Sequence, residues 1–142
     1  MYNDIMDAVT CRLNELFGDG YEIYTDEVEQ ELHEPCFFVQ FLEPSEKPMI
    51  GLRAFRNTGM CIQYIPKEGS QKSRDLNQMA SRLMDGMELV TLPGGDLLRG
   101  TSKSTKVSDG ILNFFVNYNM FIIKKKDTEG AMETIRVKGG TQ

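Results

Sequence analysis

The feature that most constrains this chain is the alternation of apolar and polar residues from Ile111 to Ile123. In an extended strand every second side chain points to the same face, so this stretch predicts one continuous apolar face. A soluble helix does not give this period. The apolar face comprises Leu112, Phe114, Val116, Tyr118, Met120 and Ile122. The opposite face mixes amides with aromatic rings, and its members are Asn113, Phe115, Asn117, Asn119 and Phe121.

This strand is predicted to be the second arm of a long hairpin that runs from Asp96 to Lys124. The two arms meet at Ser108-Asp109-Gly110, and Asp-Gly is a typical hairpin dipeptide. The length of the loop decides which residues of the first arm face the core, because a shift of one residue moves every side chain to the other face.

Two loop lengths fit this turn. A two-residue loop would pair Val107 with Leu112 and set Lys103 beside Val116 on the apolar face. A three-residue loop, with Gly110 in the left-handed conformation, shifts the pairing by one, and Lys103 then lies with the asparagines. We favour the three-residue loop because it leaves room for the aromatic rings and keeps charge off the core. In that register Ser104 faces Phe114, Ser102 faces Val116 and Gly100 faces Tyr118.

Length and composition indicate one globular domain. The 142 residues are 40% hydrophobic and 26% charged, which is too apolar for disorder. The net charge of −5 argues against phosphate-backbone binding as the main task. No apolar run approaches the roughly 20 residues of a membrane span. Because residues 1–4 lead directly into the first predicted helix, we expect no secretory signal. Cys11, Cys36 and Cys61 are odd in number and far apart, so we expect reduced thiols in a cytosolic setting, mostly packed as small hydrophobes.

Two amphipathic helices are predicted. Asn3 can cap the first helix and Gly18 ends it, while Ser73 is a candidate cap for the second. Both carry apolar residues at helical spacing. The stripe of the first helix comprises Ile5, Val9, Leu13, Leu16 and Phe17, and that of the second comprises Leu76, Met79, Ala80, Leu83, Met84 and Met87.

Further strands are predicted outside the hairpin. Residues 21–25 and 89–92 form short strands, and residues 36–42 form a strand buried on both sides. Residues 49–65 form a long strand or a bent pair. We interpret residues 43–48, which contain two prolines, as a loop.

These elements predict an α+β fold, with a mainly antiparallel sheet of four to five strands, two helices packed on one face and a long C-terminal hairpin. The even-numbered face of the last strand is the natural floor for the helices. Residues 1–126 are expected to form this domain. Residues 127–142 are weakly apolar and are expected to be a mobile tail, or an arm that orders on a partner.

The sequence offers little for catalysis. His33 is the only histidine, and its spacing from Cys36 does not indicate a nucleophile–base pair, because Pro35 intervenes. Scattered thiols and one histidine lack the spacing of a metal site, and Gly94-Gly95-Asp96 lacks the residues of a phosphate-binding loop. We therefore expect no enzyme activity, no cofactor and no metal; a small hydrolase that uses His33 is the third-ranked alternative.

Basic residues on the hairpin leave three interpretations open. Arg99, Lys103, Lys106 and residues 124–126 interleave with aromatic residues, as in a single-strand nucleic-acid binder. A half-exposed sheet face has the same pattern. A subunit interface fits as well, because a face that mixes apolar area with amides suits burial against another protein. The candidate interface residues are Arg99, Lys103, Asp109, Gly110, Phe115, Asn117, Asn119 and Phe121.

Several short motifs, in this order, resemble a family of small proteins from phages and prophages of Gram-positive bacteria, known as tail terminators or tail completion proteins. The resemblance covers about residues 1–126, and its motifs are structural. They are Asp4-Ile5, the segment Glu34 to Val39, the segment Ile62 to Pro66, the segment Leu97 to Gly100 and the segment Asp109 to Tyr118.

This resemblance implies an assembly role. The protein would be located in the virion tail, and in the bacterial cytoplasm during assembly. Tail terminators form a ring, commonly a hexamer, that caps the head-proximal end of the tail tube and gives the head a docking surface. The implied partners are other copies of the chain, the tail tube protein and head–tail connector proteins, with no membrane and with DNA only as passing cargo. We expect the acidic stretch from Asp26 to Glu34 to be a solvated surface. Its functional alternatives are docking to a basic partner and repulsion of DNA, which in a ring would place it along the bore. The runner-up function is a nucleic-acid-binding regulatory module that uses the basic hairpin residues.

Overall fold

A computed structural model describes residues 2–25, 32–69, 72–126 and 133–138 of the chain. Two helices and seven strands are found in this part. In chain order they are α1 (Tyr2–Phe17), β1 (Glu22–Tyr24), β2 (Cys36–Pro48), β3 (Arg53–Ile65), α2 (Lys72–Gly86), β4 (Leu89–Thr91), β5 (Leu97–Ser108), β6 (Ile111–Lys126) and β7 (Glu133–Lys138).

The strands form one sheet with the order β1-β2-β3-β6-β5-β4, and β7 pairs with β6 off this path. The β1–β2 pair is parallel, and the other pairs are antiparallel. The α+β fold is therefore confirmed. The sheet is larger than the predicted four to five strands, because both short strands β1 and β4 join it and β7, from the segment expected to be a tail, pairs with β6.

The apolar face of β6 is buried as the alternation predicts. Its six even-numbered residues from Leu112 to Ile122 are each at most 1% exposed. They join one core with the buried residues of α1 and α2 and with the facing residues of β2 and β3. Both helices thus pack on the same side of the sheet, and the expected floor for the helices is confirmed.

The two helices also contact each other closely. Gly86 lies where α2 ends, and a Cβ added there would meet Leu16 Cδ1 at 2.5 Å. The side chain of Arg12 donates to the Gly86 carbonyl at 2.9 Å, and that of Arg82 donates to the Leu16 carbonyl at 2.9 Å. These arginines satisfy carbonyl groups at helix ends, where a positive charge is favourable.

The hairpin combines the two alternative registers. At the tip Val107 pairs with Leu112, and Asp109 and Gly110 form a two-residue turn with φ values of 53° and 75°. Farther along, Gly100 pairs with Tyr118 as the three-residue loop predicts. A bulge between Thr101 and Ser104 makes the change, because two residues of β5 oppose one residue of β6 there.

The predicted three-residue loop is therefore wrong, and so are the predicted positions of Ser102, Ser104 and Lys103. Ser104 pairs with Phe115, and Lys103 reaches the helix side of the sheet, where its ammonium donates to the Met84 carbonyl at 2.6 Å. The predicted partnership of Gly100 with Tyr118 is confirmed. Core packing sets the strand register at the Gly100 end of the hairpin, and turn chemistry sets the register at the Asp109-Gly110 end.

The predicted loop at residues 43–48 is also wrong, because β2 continues through it to Pro48. A bulge between Leu42 and Ser45 accommodates Pro44, and pairing with β3 resumes at Ser45 and Asn57. Beyond Phe38 no described strand lies on the outer side of β2, so the missing proline N–H groups are tolerated at this edge. The prediction that residues 36–42 are buried on both sides is wrong as well, because the helices cover only the face that carries Phe37 and Val39, and Gln40 and Leu42 on the other face are exposed.

The remaining short strands agree with the sequence: β1 and β4 lie within the predicted segments. Of the predicted C-terminal tail, the structure describes β7, which pairs with β6 from Phe121 to Lys126. Residues 127–132 and 139–142 lie outside the described residues. The assignment of residues 1–126 as the domain stays a prediction.

We expect Gly100→Ala to destabilise the fold by about 1–3 kcal/mol, as overpacking of a core does. A Cβ at Gly100 would lie 2.6 Å from Val116 Cγ2 and 3.1 Å from the Met87 carbonyl oxygen. Urea unfolding measures the loss. Gly20→Ala is the matched control, because a Cβ at Gly20 would meet nothing within 4 Å. Equal stability of the two variants would contradict this packing.

Candidate interaction surface

The odd-numbered side of β6 belongs to a face of the sheet that neither helix covers. Across β3 and β6 this face pairs Phe55 with Phe121, Asn57 with Asn119, Gly59 with Asn117 and Cys61 with Phe115. Both helices lie on the opposite side, and no other element of the described residues lies over it. We call it the open face. Its aromatic rings are only partly covered: Phe121 is 41% exposed and packs on Phe55, with the ring centroids 5.0 Å apart.

Two bulges flank the middle of the open face. Leu42, Gly59, Asn117 and Thr101 form a row across β2, β3, β6 and β5, and the bulges of β2 and β5 begin at the two ends of this row. At these bulges two non-glycine residues adopt the left-handed region, Glu43 with φ of 37° and Ser102 with φ of 52°. Such backbone conformations cost of order 1–3 kcal/mol each and are concentrated at functional sites.

Between the bulges lies a groove of about 500 Å³, which we call the bulge groove. Its floor needs glycine, because a Cβ at Gly59 would lie 3.0 Å from both Asn117 Oδ1 and the Leu42 carbonyl oxygen. Its lining combines apolar and polar groups and includes Leu42, Glu43, Asn57, Ser102, Phe115 and Asn117. Glu43 is exposed and forms no ion pair with a described residue.

Unpaired hydrogen-bond acceptors lie beside this groove. The side-chain oxygens of Asn57 and Asn119, which are opposite each other on β3 and β6, are buried and have no donor among the described residues. Asn113, farther along β6, accepts instead from Gln63 at 2.9 Å. A buried acceptor without a partner costs roughly 1–3 kcal/mol, so this row of the open face is not optimised for the stability of the single chain.

The turn between β2 and β3 is unusually apolar. Met49, Ile50 and Leu52 are 46%, 95% and 53% exposed. We call residues 48–53 the tip segment. Its backbone is held in place, since the Met49 amide donates to the Arg53 carbonyl at 2.9 Å and the Lys124 amide donates to the Leu52 carbonyl at 2.7 Å. Burying one such aliphatic side chain stabilises by roughly 1.5–3 kcal/mol, so the tip segment favours contact with another surface.

An ionic cluster braces the strands next to the tip segment. Arg56, which is 6% exposed, donates to Glu46 at 2.8 Å and stacks on the Tyr2 ring at 5.0 Å. Lys124 binds the same carboxylate and so ties β6 to β2. The hydrogen bond from Lys124, followed by that from Arg56, lowers the pKa of Glu46. The tip segment therefore projects from a fixed base.

Several basic hairpin residues already have partners. Lys103 donates to Glu88 at 3.1 Å, and Arg99 lies 3.9 Å from the same carboxylate. Hydrogen bonding from Lys103 lowers the pKa of Glu88. These pairs, together with Lys124 on Glu46, reduce the positive charge that a phosphate backbone would need.

The structure brings together only part of the predicted interface. Phe115, Asn117, Asn119 and Phe121 share the open face. Asp109 and Gly110 form the exposed end of the hairpin, Arg99 lies beside Glu88 and Lys103 reaches α2. Sequence analysis missed the tip segment and the bulge groove. The sequence held a signal for each. Apolar residues around Gly51, between two strands, indicated the tip segment, and Gly59 within a strand indicated the bulge groove.

No catalytic arrangement is apparent among the described residues. Cys36 is fully buried, and burial, followed by the charge of Glu34, raises the pKa of its thiol. His33 is exposed, and its amide donates to the Tyr24 hydroxyl at 3.2 Å. Cys61 is buried and Cys11 is exposed, and none of the three forms a disulfide.

The described residues contain no cluster of metal-ligating side chains. Neither of their two helices has the length and hydropathy that a membrane span requires. Residues 26–31, most of the acidic stretch, lie outside the described residues, so the predicted bore lining has no structural test here.

The described residues thus form a sheet with one face covered by two helices and the other face left open. A family described as "Phage tail terminator protein" matches residues 4–130, which is most of the chain. The chain belongs to this family, and the resemblance to phage tail terminators is confirmed. Membership makes it a component of the phage tail. A search of the curated proteins gives no match.

We expect Glu46→Gln to lower the stability of the protein at neutral pH and to have little effect in acid. The folded-state pKa of Glu46 lies below its ordinary value of 4.5, so its stabilising effect is present above that value and is lost as the pH falls through the folded-state pKa. Urea unfolding across this range measures the difference from wild type. Glu68→Gln, at an exposed loop carboxylate, is the control. A wild-type advantage that stays constant in acid would contradict the role of the ionic cluster.

Proposed function

We propose that this chain caps the head-proximal end of the tail tube as a ring, most simply a hexamer, and connects the tail to the head. The family supplies the tail location. The open face supplies the observation that supports a ring, because it exposes aromatic area and buries amide oxygens that have no donor among the described residues. Such a surface is better suited to protein contact than to water.

The proposed ring uses contacts between different surfaces of neighbouring copies. A head-to-tail contact of this kind generates a ring when the rotation between subunits closes. We propose that Phe115, Asn117, Asn119 and Phe121 on the open face, with Asp109 and Gly110 at the end of the hairpin, contact a neighbouring copy or the tube. Arg99 and Lys103 lie at the edge of this surface beside Glu88.

The proposed role needs no catalytic step. It consists of stopping tube growth and presenting a docking surface to head–tail connector proteins, with assembly in the bacterial cytoplasm. DNA passes through the ring as cargo. The engagement of Lys103 with Glu88 and of Lys124 with Glu46 supports this role over a nucleic-acid-binding regulator.

We expect Phe115→Asp to leave a folded chain that no longer forms rings. Phe115 lies on the half-covered open face, so the substitution adds charge to the proposed contact and spares the buried face of β6. Size exclusion with light scattering, with and without the tail tube protein, measures the mass. Circular dichroism checks the fold.

Cys11→Asp is the control, because it also adds a carboxylate at an exposed position, but on α1, which lies on the side of the sheet opposite the open face. Rings should persist in this variant. Rings of Phe115→Asp on the tail tube would remove the open face from the contact. A salt-dependent shift of DNA by the wild-type chain would instead favour the nucleic-acid alternative.

A further inference from the structure

We propose that the tip segment of one copy inserts into the bulge groove of the next copy, and that this insertion is the head-to-tail contact of the ring. The inference rests on the ring proposed above and names the residues on both sides of the contact. It joins two features that the single chain leaves unused, an exposed apolar turn and a groove with a strained rim.

The tip segment has the properties of an inserted element. Ile50 is 95% exposed and Leu52 is 53% exposed, yet the segment is fixed by backbone hydrogen bonds to its own turn and to β6. Fixing such a segment before association reduces the ordering cost of binding. Lys47 precedes the tip segment and Arg53 is its last residue, and both are exposed and form no ion pair with a described residue. The tip segment is therefore apolar at its end and positive at its base.

The bulge groove has complementary properties. Its volume of about 500 Å³ exceeds that of two branched aliphatic side chains, and Leu42 and Phe115 give it apolar walls. Glu43 lines it with a carboxylate that forms no ion pair with a described residue. The groove thus offers apolar walls and negative charge to a segment that is apolar and positive, which is the complementarity that selects a partner.

The occupant of the groove is a second copy and not the chain's own tip segment. Gly59 in the groove floor and Arg53 beside the tip lie six residues apart on β3, which is roughly 20 Å along a strand. Continuous pairing with β2 and β6 keeps this strand extended. Because the tip segment and the groove are different surfaces, each copy can offer one to each neighbour, as a closed ring requires.

The test begins with one substitution on each side. Ile50→Asp should raise the concentration needed for half-assembly at least about 30-fold, as loss of a central anchor does, and Ile50→Leu should assemble like wild type. Glu43→Lys should weaken assembly about tenfold through charge reversal, and Glu68→Lys, with the same charge change elsewhere, should not. Light scattering gives the masses, and urea unfolding confirms that the variants are folded. If wild-type rings form only on tail tubes, the same series is run there by counting copies per tube end.

A mixing experiment then identifies the two sides. Ile50→Asp keeps its groove, and Phe115→Asp keeps its tip segment. Each should be monomeric alone, and an equimolar mixture should form dimers that stop at two subunits, because only one intact contact remains. A mixture that stays monomeric, or Ile50→Asp rings like those of wild type, would overturn the inference and leave the ring itself standing. Wild-type chain that is monomeric both alone and on tail tubes would overturn the ring, and this inference with it.

Discussion

The structure depends on burial of the even-numbered face of β6. β6 pairs with β3 on one side and with β5 and β7 on the other, and its even-numbered residues from Leu112 to Ile122 are covered by both helices. Tyr118 lies in the middle of this face and donates to the Met87 carbonyl at 2.6 Å, just beyond α2. Burial raises the pKa of the Tyr118 hydroxyl, so it stays a neutral donor. Because both helices pack on this face, the other face of the same strands is left open.

The bulge in β5 shows how packing and turn chemistry are reconciled. The Asp109-Gly110 turn sets the register at the tip, whereas close packing places Gly100 against Tyr118. The two requirements differ by one residue, and the extra residue is absorbed at Ser102 and Lys103. This bulge lets the Lys103 ammonium reach the end of α2, and it also shapes one wall of the bulge groove. A constraint inside the subunit thereby forms a feature of its surface.

The elements that follow from local pattern were predictable from the sequence. Alternation along β6 predicts its buried face, and helical spacing predicts α1 and α2, because each pattern reports which side chains share a face. The strand register was not predictable, because it depends on packing between residues far apart in the chain. The extension of β2 through Pro44 and Pro48 was missed for a similar reason, since it depends on an outer edge that carries no strand.

The candidate interaction surface also has one part that was predictable from the sequence and one part that was not. Phe115, Asn117, Asn119 and Phe121 were assigned to one face by their spacing alone. Lys103 was misplaced because the bulge reverses its side, and the bulge groove exists only where two bulges meet at the same row of the sheet. The tip segment was hidden by its apolar composition, which in sequence resembles the continuation of a strand. Features that irregular backbone creates could therefore not be predicted from the sequence.

We propose that β6 has one face that holds the chain together and one face that contacts a neighbouring chain. Side-chain footprinting with hydroxyl radicals tests this proposal directly, by comparing the labelling of Phe115 and Phe121 in the isolated chain and in the chain bound to tail tubes. We expect strong protection of these rings in the assembled state and equally low labelling of Phe114 and Tyr118 in both states. Unchanged labelling of Phe115 and Phe121 on the tube would contradict it.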